Sequence, residues 1–397
     1  MYWKAIFLLI VVLLNHNMNI IIEECKNNKW EKIECIAVGD LLLHDSLYKD
    51  FEDAEREQVF KEMFSEVTSY FDKADLVLGN FEGTCYPDMP LSSYPQFNVP
   101  KSFIYALKAV GFDGLCTVNN HCLDTGVQGL LSTNSLIRQS GMIAFGTGDR
   151  QGNKKSEVVV IKGIKVGLIG FSDFFNGLEA NLSEEEKNSY LSIYNKQQII
   201  EEIRNMKDLG VDIVLVYLHW GQEYVLEPLL WQQEDMQEFI AQGVEVILGS
   251  HPHVLGQSKM IFQKDHNTGY IYSMGNFISD QFRDGYGLSR FTEAGVMVRF
   301  HIKKSDKDTK IIDWELIPTW LYHYYDNEGK YRAKIIPLEN IEKEPYNFSD
   351  DNFRKALEAK WDSFYILQGK TKNIMDEYSV NQLYNPNFST LLYSQKQ

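Results

Sequence analysis

The chain has no cysteine framework. Its five cysteines, Cys25, Cys35, Cys85, Cys116 and Cys122, are too few and too irregularly spaced for a disulfide scaffold or a CxxC zinc site. Structural zinc is thereby set aside, and an odd count leaves at least one thiol free or paired between chains. Runs of lysine and arginine long enough to neutralise a phosphate backbone are missing too: Lys+Arg number 39 against 55 Asp+Glu, for a formal charge of -16. Duplex nucleic acid is excluded as an expected partner, and the surplus acid reads as surface solubility. There is no internal repeat and no low-complexity segment. What remains is an ordinary globular balance, 44% hydrophobic and 24% charged over 397 residues, enough to bury a large core.

A full-length membrane span is also lacking at the amino end. Lys4 is followed by ten apolar residues, Ala5 to Leu14, and then by an abrupt polar stretch before Ile20 to Ile22. That length matches a signal-peptide core and falls short of the roughly 20 residues that cross a bilayer. Residues 1–22 are therefore expected to be a signal peptide or an N-terminal membrane anchor. No small-x-small cleavage site stands out, and IIEEC around Cys25 lacks the small residues that precede a lipid-modified cysteine.

From about residue 33, short β-branched runs alternate with longer helical patterns, the signature of a sheet flanked by helices. Strands are predicted at ECIAVGD, DLVLGN, FDGLCTV, AFGTG, VGLIGF, DIVLVYLHW, VEVILGS, GYIYSMGN and AGVMVRFHI. Helices are predicted near residues 55–73, 101–111, 126–141, 196–210 and 230–243, several ending in glycine as a C-cap. KIIDWELIPTWLYHYY predicts a further strand, and SDDNFRKALEAKWDSFYILQ a helix opening on Ser349 or Asp350. This gives a layered α/β body over 33–334 and an appended, largely helical segment over 335–397.

Several strands end in polar residues that can converge at the carboxyl edge of a sheet, where open α/β sheets place their sites. AVGDLLLHD supplies Asp40, His44 and Asp45, and VLGNFEG supplies Asn80 and Glu82. TVNNHCLDTG supplies Asn119, Asn120, His121 and Asp124. YLHWGQEY supplies His219 and Glu223, and LGSHPH supplies His251 and His253. Singly, each has an ordinary explanation: a strand-terminal Asp caps a turn, and a lone His is usually a hydrogen-bonded structural residue. Together they need a shared partner, because buried polar groups must be satisfied, and a metal is the most economical one. Imidazole and carboxylate donors without thiolate suit Mn, Fe or Zn, and a bridging carboxylate suits two ions about 3.5–4 Å apart. In GSHPH, Pro252 fixes the backbone, and in a strand-like segment residues two apart point the same way. Both imidazoles are thus expected to face one metal pair.

The ordered motifs GD at 39–40, ADLVLGNFEG, GFDGLCTVNNHCLDTGVQGL, LHWGQEY, GSHPHV and IYSMGNFI closely resemble the CapA family of poly-gamma-glutamate capsule synthesis proteins. That family lies in the calcineurin-like metallophosphoesterase superfamily, and the resemblance covers roughly residues 33–303. It implies two facing mixed β-sheets flanked by helices and a site with two divalent ions. By position, Asp40, Glu82, Asn120, His219, His251 and His253 resemble the metal ligands, with Glu82 as the bridging carboxylate. His121 resembles the adjacent acid that does not bind metal.

The sequence departs from the superfamily where Asp-x-His is expected, since the nearest histidine is His44, where the second carboxylate lies in Asn-x-Glu, and at Ser250 of GSHPH. These differences count against ordinary phosphatase activity more than against metal binding. His44, Asn80, Asp124, Glu223 and Asn276 are weaker candidates for substrate contact. Trp220 and Tyr224 fit a cleft wall or packing equally; Arg283 and Arg290 fit an anion grip, or more simply a solvated surface.

The resemblance implies a secreted or membrane-anchored protein outside the cytoplasm, serving synthesis or export of poly-gamma-glutamate or a related envelope polymer. Membrane polymer-synthase subunits are the expected partners. A metal-dependent phosphoesterase acting on nucleotides or phosphorylated envelope precursors, and a non-enzymatic accessory subunit of a polymer synthase, are the alternatives.

Overall fold

A computed structural model describes residues 31–149, 155–264, 266–283, 288–343, 346–374 and 394–396. The expected leader at 1–22, Cys25 and most of the segment after 374 lie outside them. The chain runs through β1 (Glu31–Leu41), α1 (Asp53–Met63), α2 (Thr68–Phe71), β2 (Leu76–Phe81), α3 (Lys101–Ala109), β3 (Gly114–Cys116), α4 (Gly126–Gln139) and β4 (Ile143–Phe145). It continues through β5 (Glu157–Ile161), β6 (Ile164–Ser172), α5 (Glu184–Tyr190), α6 (Lys196–Asp208), β7 (Ile213–His219), α7 (Leu230–Ala241) and β8 (Val246–Ser250). Then come β9 (Ser258–Phe262), β10 (Asn267–Ile271), β11 (Asn276–Ile278), β12 (Ala294–Lys304), β13 (Thr309–Tyr325), β14 (Tyr331–Pro337), α8 (Asp350–Leu367) and β15 (Ser394–Lys396).

Two mixed sheets face each other, as the family resemblance implies. The first has the order β14-β13-β12-β1-β2-β3-β4, with β11 pairing β1 and β15 pairing β13; the second has the order β5-β6-β7-β8-β10-β9. Both faces of each central strand are covered, so these strands are apolar along their whole length rather than alternating with polar residues. In β1, Ile33, Cys35 and Ala37 point between the sheets, while Ile36 and Val38 pack under α1 and α3. In β7, Ile213, Leu215 and Tyr217 point inward, and Val214, Val216 and Leu218 meet α6 and α7. The inner layer is tight: a Cβ on Gly269 of β10 would stand 2.3 Å from the Trp314 ring of β13. Trp314 Nε1 donates across the gap to Ser258 Oγ of β9 at 2.9 Å.

Several predicted elements differ in detail. The helix expected over 55–73 is broken into α1 and α2 by a turn at Phe64–Val67. GYIYSMGN is not one strand: β10 belongs to the second sheet and β11 pairs β1 in the first, so the chain crosses between sheets at Tyr272–Gly275, with Gly275 at φ 67°. The strands at 157–161, 258–262 and 331–337 carry no motif that singled them out, and β14 runs across residues 334–335, where the appended segment was expected to begin. Helices α3, α4, α6 and α7 are followed by Gly111, Gly141, Gly210 and Gly243, all at positive φ, the C-cap role expected of them. Helix α8 is capped by Ser349, whose Oγ accepts from Asn352 N at 3.2 Å. Cys35, Cys85, Cys116 and Cys122 are buried free thiols.

Candidate metal centre

Strands β1, β2 and β3 run parallel in one sheet and β6, β7 and β8 in the other. Their carboxyl ends bring Asp40, Asn80 with Glu82, Asn119 with Asn120, His219, and His251 with His253 to one buried point. All of these are at most 2% exposed. Glu82 belongs to two groups whose donor atoms lie within 4.8 Å of one another, Asp40/Glu82/His219 and Glu82/His251/His253. His219 Nε2 and His253 Nε2 each stand 3.7 Å from Glu82 Oε1. Asn120 Oδ1 is 2.8 Å from His219 Nε2, close to the roughly 3 Å that separates two adjacent ligands at about 2.1 Å from one ion. The structure therefore brings all six expected ligands together.

The donor set fits divalent metal on three observations. Glu82 Oε1 and His251 Nδ1 are buried and have no hydrogen-bond partner, a cost that a cation would remove. Burial, and then the charge of Asp40, pushes Glu82 well above the usual carboxylate range; two buried carboxylates this close want a positive charge between them. Burial, followed by the neighbouring histidines, holds His219 and His251 well below the ordinary imidazole value, leaving them in the neutral form that binds metal. For His253, burial pulls downward, but Glu82 and Asp40 outweigh it and raise the ring to about 9.

The surrounding side chains fix the donors. Asn80 Nδ2 donates to Asp40 Oδ1 at 2.8 Å, and Asn119 Nδ2 donates to Asn80 Oδ1 at 3.3 Å and to Phe81 O at 2.8 Å. Ser250 Oγ, absent from the sequence-based site, lies 3.1 Å from His219 Nδ1. Asn276 Nδ2 donates to Thr292 O and Gln281 Oε1, leaving its Oδ1 to accept from His253 Nδ1 at 3.0 Å. That contact sets the tautomer and frees Nε2 toward Glu82. Asn276 thus orients a histidine of the centre.

The two histidines of GSHPH reach the centre by a different route from the one predicted. The segment is not strand, and His251 and His253 lie at φ 98° and 57°. Two left-handed residues flanking Pro252, rather than strand alternation, turn both rings inward to a centroid distance of 5.9 Å. Such backbone costs on the order of 1–3 kcal/mol per residue and persists where the surroundings impose it.

Beside the centre, His121 Nδ1 meets Asp124 Oδ2 at 2.8 Å, and the same oxygen accepts from Phe97 N at 2.6 Å. His121 lies outside both donor groups. Burial raises Asp124, and the hydrogen bond and charge of His121 oppose the rise. Asp124 is therefore a support for His121 rather than a side chain pointing at substrate. His44 also lies outside both groups: its Nδ1 is 3.2 Å from Asp280 N and from Leu42 O, and its ring stands edge-on to Phe97. Glu223 is exposed at the mouth, and its charge bears on Glu82 and His253. Trp220 is wholly buried against Tyr194, Trp231 and Tyr272, so packing is its role.

Neither arginine grips an anion or lies solvated, in contrast to both expectations. Arg283 pairs with Glu293 and Glu358, and Arg290 pairs with Asp362 of α8 through Nε–Oδ2 at 2.6 Å and Nη2–Oδ1 at 3.1 Å. Asp173, which no motif announced, closes β6 beside the centre. Its Oδ2 accepts from Gly221 N at 2.9 Å, its Oδ1 is buried without a partner, and burial raises it to about 6.

Facing mixed sheets that deliver aspartate, glutamate, asparagine and histidine donors to one buried point define an α/β protein with a candidate divalent-metal centre. Residues 34–281 match the model of the family described as bacterial capsule synthesis protein PGA_cap, and the chain belongs to that family. It is 28% identical over 298 residues to the "Capsule biosynthesis protein CapA" of Bacillus anthracis, covering 72% of this chain and 68% of that one. Over 276 residues it is 28% identical to the "PGA biosynthesis protein CapA" of Bacillus subtilis strain 168, covering 68% and 67%.

Among solved structures, the NAD nucleotidase NadN of Haemophilus influenzae is similar over 83% of this chain and 62% of its own, with 14% identity and a TM-score of 0.45. The chain thus spans less than two thirds of that nucleotidase. The 5'-nucleotidase precursor of Thermus thermophilus is similar over 82% and 58%, at 14% identity and a TM-score of 0.39. Among the described residues, no helix is long and apolar enough to cross a membrane.

Proposed function

We propose that this protein acts in the synthesis or export of a capsule polymer, poly-gamma-glutamate or a related envelope polymer, outside the cytoplasm and held near the membrane through its amino end. Asp40, Glu82, Asn120, His219, His251 and His253 would hold two divalent ions, Mn, Fe or Zn, with Glu82 between them. When bound, such ions polarise an acyl or phosphoryl oxygen and lower the pKa of a bound water. His121, fixed by Asp124, would protonate the leaving group. Asn80 and Asn276 would hold Asp40 and His253 in their ligating orientations. The observation that carries this reading is Glu82, buried, shared by two donor groups and left with an unpartnered oxygen.

The test is metal content together with hydrolysis of phosphodiesters and gamma-glutamyl amides by wild type and His219→Ala. Bound metal and amide hydrolysis in wild type, both lost in His219→Ala, are expected. Absence of metal from both proteins sinks the catalytic reading, and turnover of phosphoesters alone redirects it to a phosphoesterase. A membrane polymer-synthase partner would be supported if deleting residues 1–22 abolished polymer formation in cells while leaving metal content intact.

A further inference from the structure

We infer that the mouth of the metal centre selects substrates carrying a protonated amine near the group presented to the metals, with Glu223 as the specificity-determining residue and Tyr224 as its aromatic neighbour. The inference rests on the hydrolytic reading above, and it names the substrate chemistry of that same site.

Glu223 is exposed, belongs to no ion pair or hydrogen bond among the described residues, and directly precedes Tyr224, whose N–H meets Pro252 O between the two histidines and whose ring faces that of His253. Its loop is rigid. Gly221, at φ 102°, donates its N–H to the Asp173 carboxylate at 2.9 Å, and Tyr224 N donates to Pro252 O at 2.8 Å. Tyr224 adopts φ 65°; its hydroxyl accepts from Gln281 Nε2 at 3.2 Å and its ring lies 6.2 Å from that of His253. A side chain held in left-handed backbone, 40% exposed, beside a centre it does not ligate fits a contact surface better than core packing. A carboxylate beside an exposed aromatic face is the pairing that recognises an ammonium, by charge and by cation–π attraction.

The complementary observation is the lack of a cation for an anionic substrate. Among the described residues, no lysine or arginine forms an ion pair with Asp40, Glu82 or Asp173, whose side-chain partners are histidines, Asn80 and the Gly221 N–H. The two arginines of the nearby loop are committed to Glu293, Glu358 and Asp362. The buried orphan oxygen of Asp173 adds a further acceptor on the β6 side. A phosphomonoester dianion would meet the metals with Glu223 opposing it. An amino-acid unit with a free α-amine would place its carbonyl or carboxylate on the metals and its ammonium on Glu223.

The experiment is calorimetric titration of the manganese-loaded full chain with gamma-L-glutamyl-L-glutamate and with its N-acetyl derivative. Acetylation removes the positive charge and adds the bulk of an acetyl group, and the E223Q arm separates the two, since a steric effect would persist in it. Wild type is expected to bind the free-amine probe at least tenfold more tightly, E223Q to bind both alike, and E223K to prefer the acetylated probe. Equal affinity of wild type for the two probes, or binding of neither, overturns the inference. The two readings fail separately: metal and turnover without amine discrimination would end this one alone, whereas discrimination persisting in a protein that hydrolyses nothing would end only the hydrolytic one.

Discussion

Asp124 shows how much one side chain can decide. Its Oδ2 receives both Phe97 N and His121 Nδ1, so it anchors a loop and orients the imidazole at once. Asp124→Asn retains size but cannot stabilise the imidazolium that forms when His121 takes up a proton. A drop of about 10²-fold or more in turnover is expected, the typical contribution of a positioned acid or base, with metal stoichiometry measured by atomic absorption unchanged. Loss of metal along with turnover would instead assign the pair to holding the centre. At this scale the motifs were informative about identity and silent about geometry. Asp40, Glu82 and His219 sit at strand ends that their flanking apolar runs announce. The left-handed backbone of His251 and His253 is invisible in GSHPH, because nothing in the letters specifies φ. Asp173 was missed because a lone Asp after a strand is indistinguishable from a turn former, and Ser250, noticed only as a departure within GSHPH, gave no sign that its hydroxyl would meet His219.

A second residue-scale expectation concerns packing between the sheets. Gly269→Ala places a methyl 2.3 Å from Trp314, whose ring is wholly buried and tethered through Ser258. Overpacking of this kind costs about 1–3 kcal/mol, and the rigid tether places Gly269→Ala toward the upper end. Urea unfolding should show the loss as a lowered midpoint at unchanged slope; an unchanged midpoint would mean that the sheets can part without cost.

At the scale of elements, the strands that read most clearly were those buried on both faces, since a continuous run such as DIVLVYLHW has no other use in a soluble domain. Edge elements were harder. The outer strand β5 alternates partly exposed valines, with Val158 40% and Val160 65% exposed, so its pattern is short and weak. Strand order is set by pairing between distant segments, which explains why the division of GYIYSMGN between two sheets could not be read locally.

One three-strand contact does make a testable link. His301 on β12 lies between Asp313 of β13, 2.8 Å from Nδ1, and Glu34 of β1, 2.9 Å from Nε2. The hydrogen bond to Asp313 leads in raising His301, with Glu34 adding to it, against partial burial and Lys32. A raised histidine stabilises the fold when protonated, fully below its ordinary value of about 6.5, and that contribution fades as pH rises through the folded value. His301→Asn should therefore cost about 0.5–1 kcal/mol at pH 6, the upper part of the range for pairs that water still reaches, and nearly nothing at pH 9. A cost independent of pH would show that the ring matters for packing and not for charge.

Taken as a whole, the molecule ties its carboxyl-terminal helix to the metal centre. Helix α8 buries Ala356, Leu357, Trp361 and Phe364 against Trp320, Ile336 and Leu338, and its Glu358 and Asp362 reach Arg283 and Arg290. Arg283 also holds Glu293, which accepts from Trp320 Nε1. In the same turn, Thr292 O receives Asn276 Nδ2, and Asn276 Oδ1 orients His253. Four contacts thus link a helix outside the matched family segment of 34–281 to a candidate ligand. Arg283→Met would leave Glu293 buried without a cation and Glu358 with Arg354 alone, and removing one partner of such a buried pair costs about 3 kcal/mol or more. It should also loosen the turn at Thr292, and disturbing the orientation of a ligand typically lowers metal affinity about 10- to 100-fold. Chelator competition on the fraction that remains folded separates the two effects. Lost stability at unchanged affinity would confine α8 to a structural cover, whereas a fall in both would make the appended helix part of what sets the metal centre.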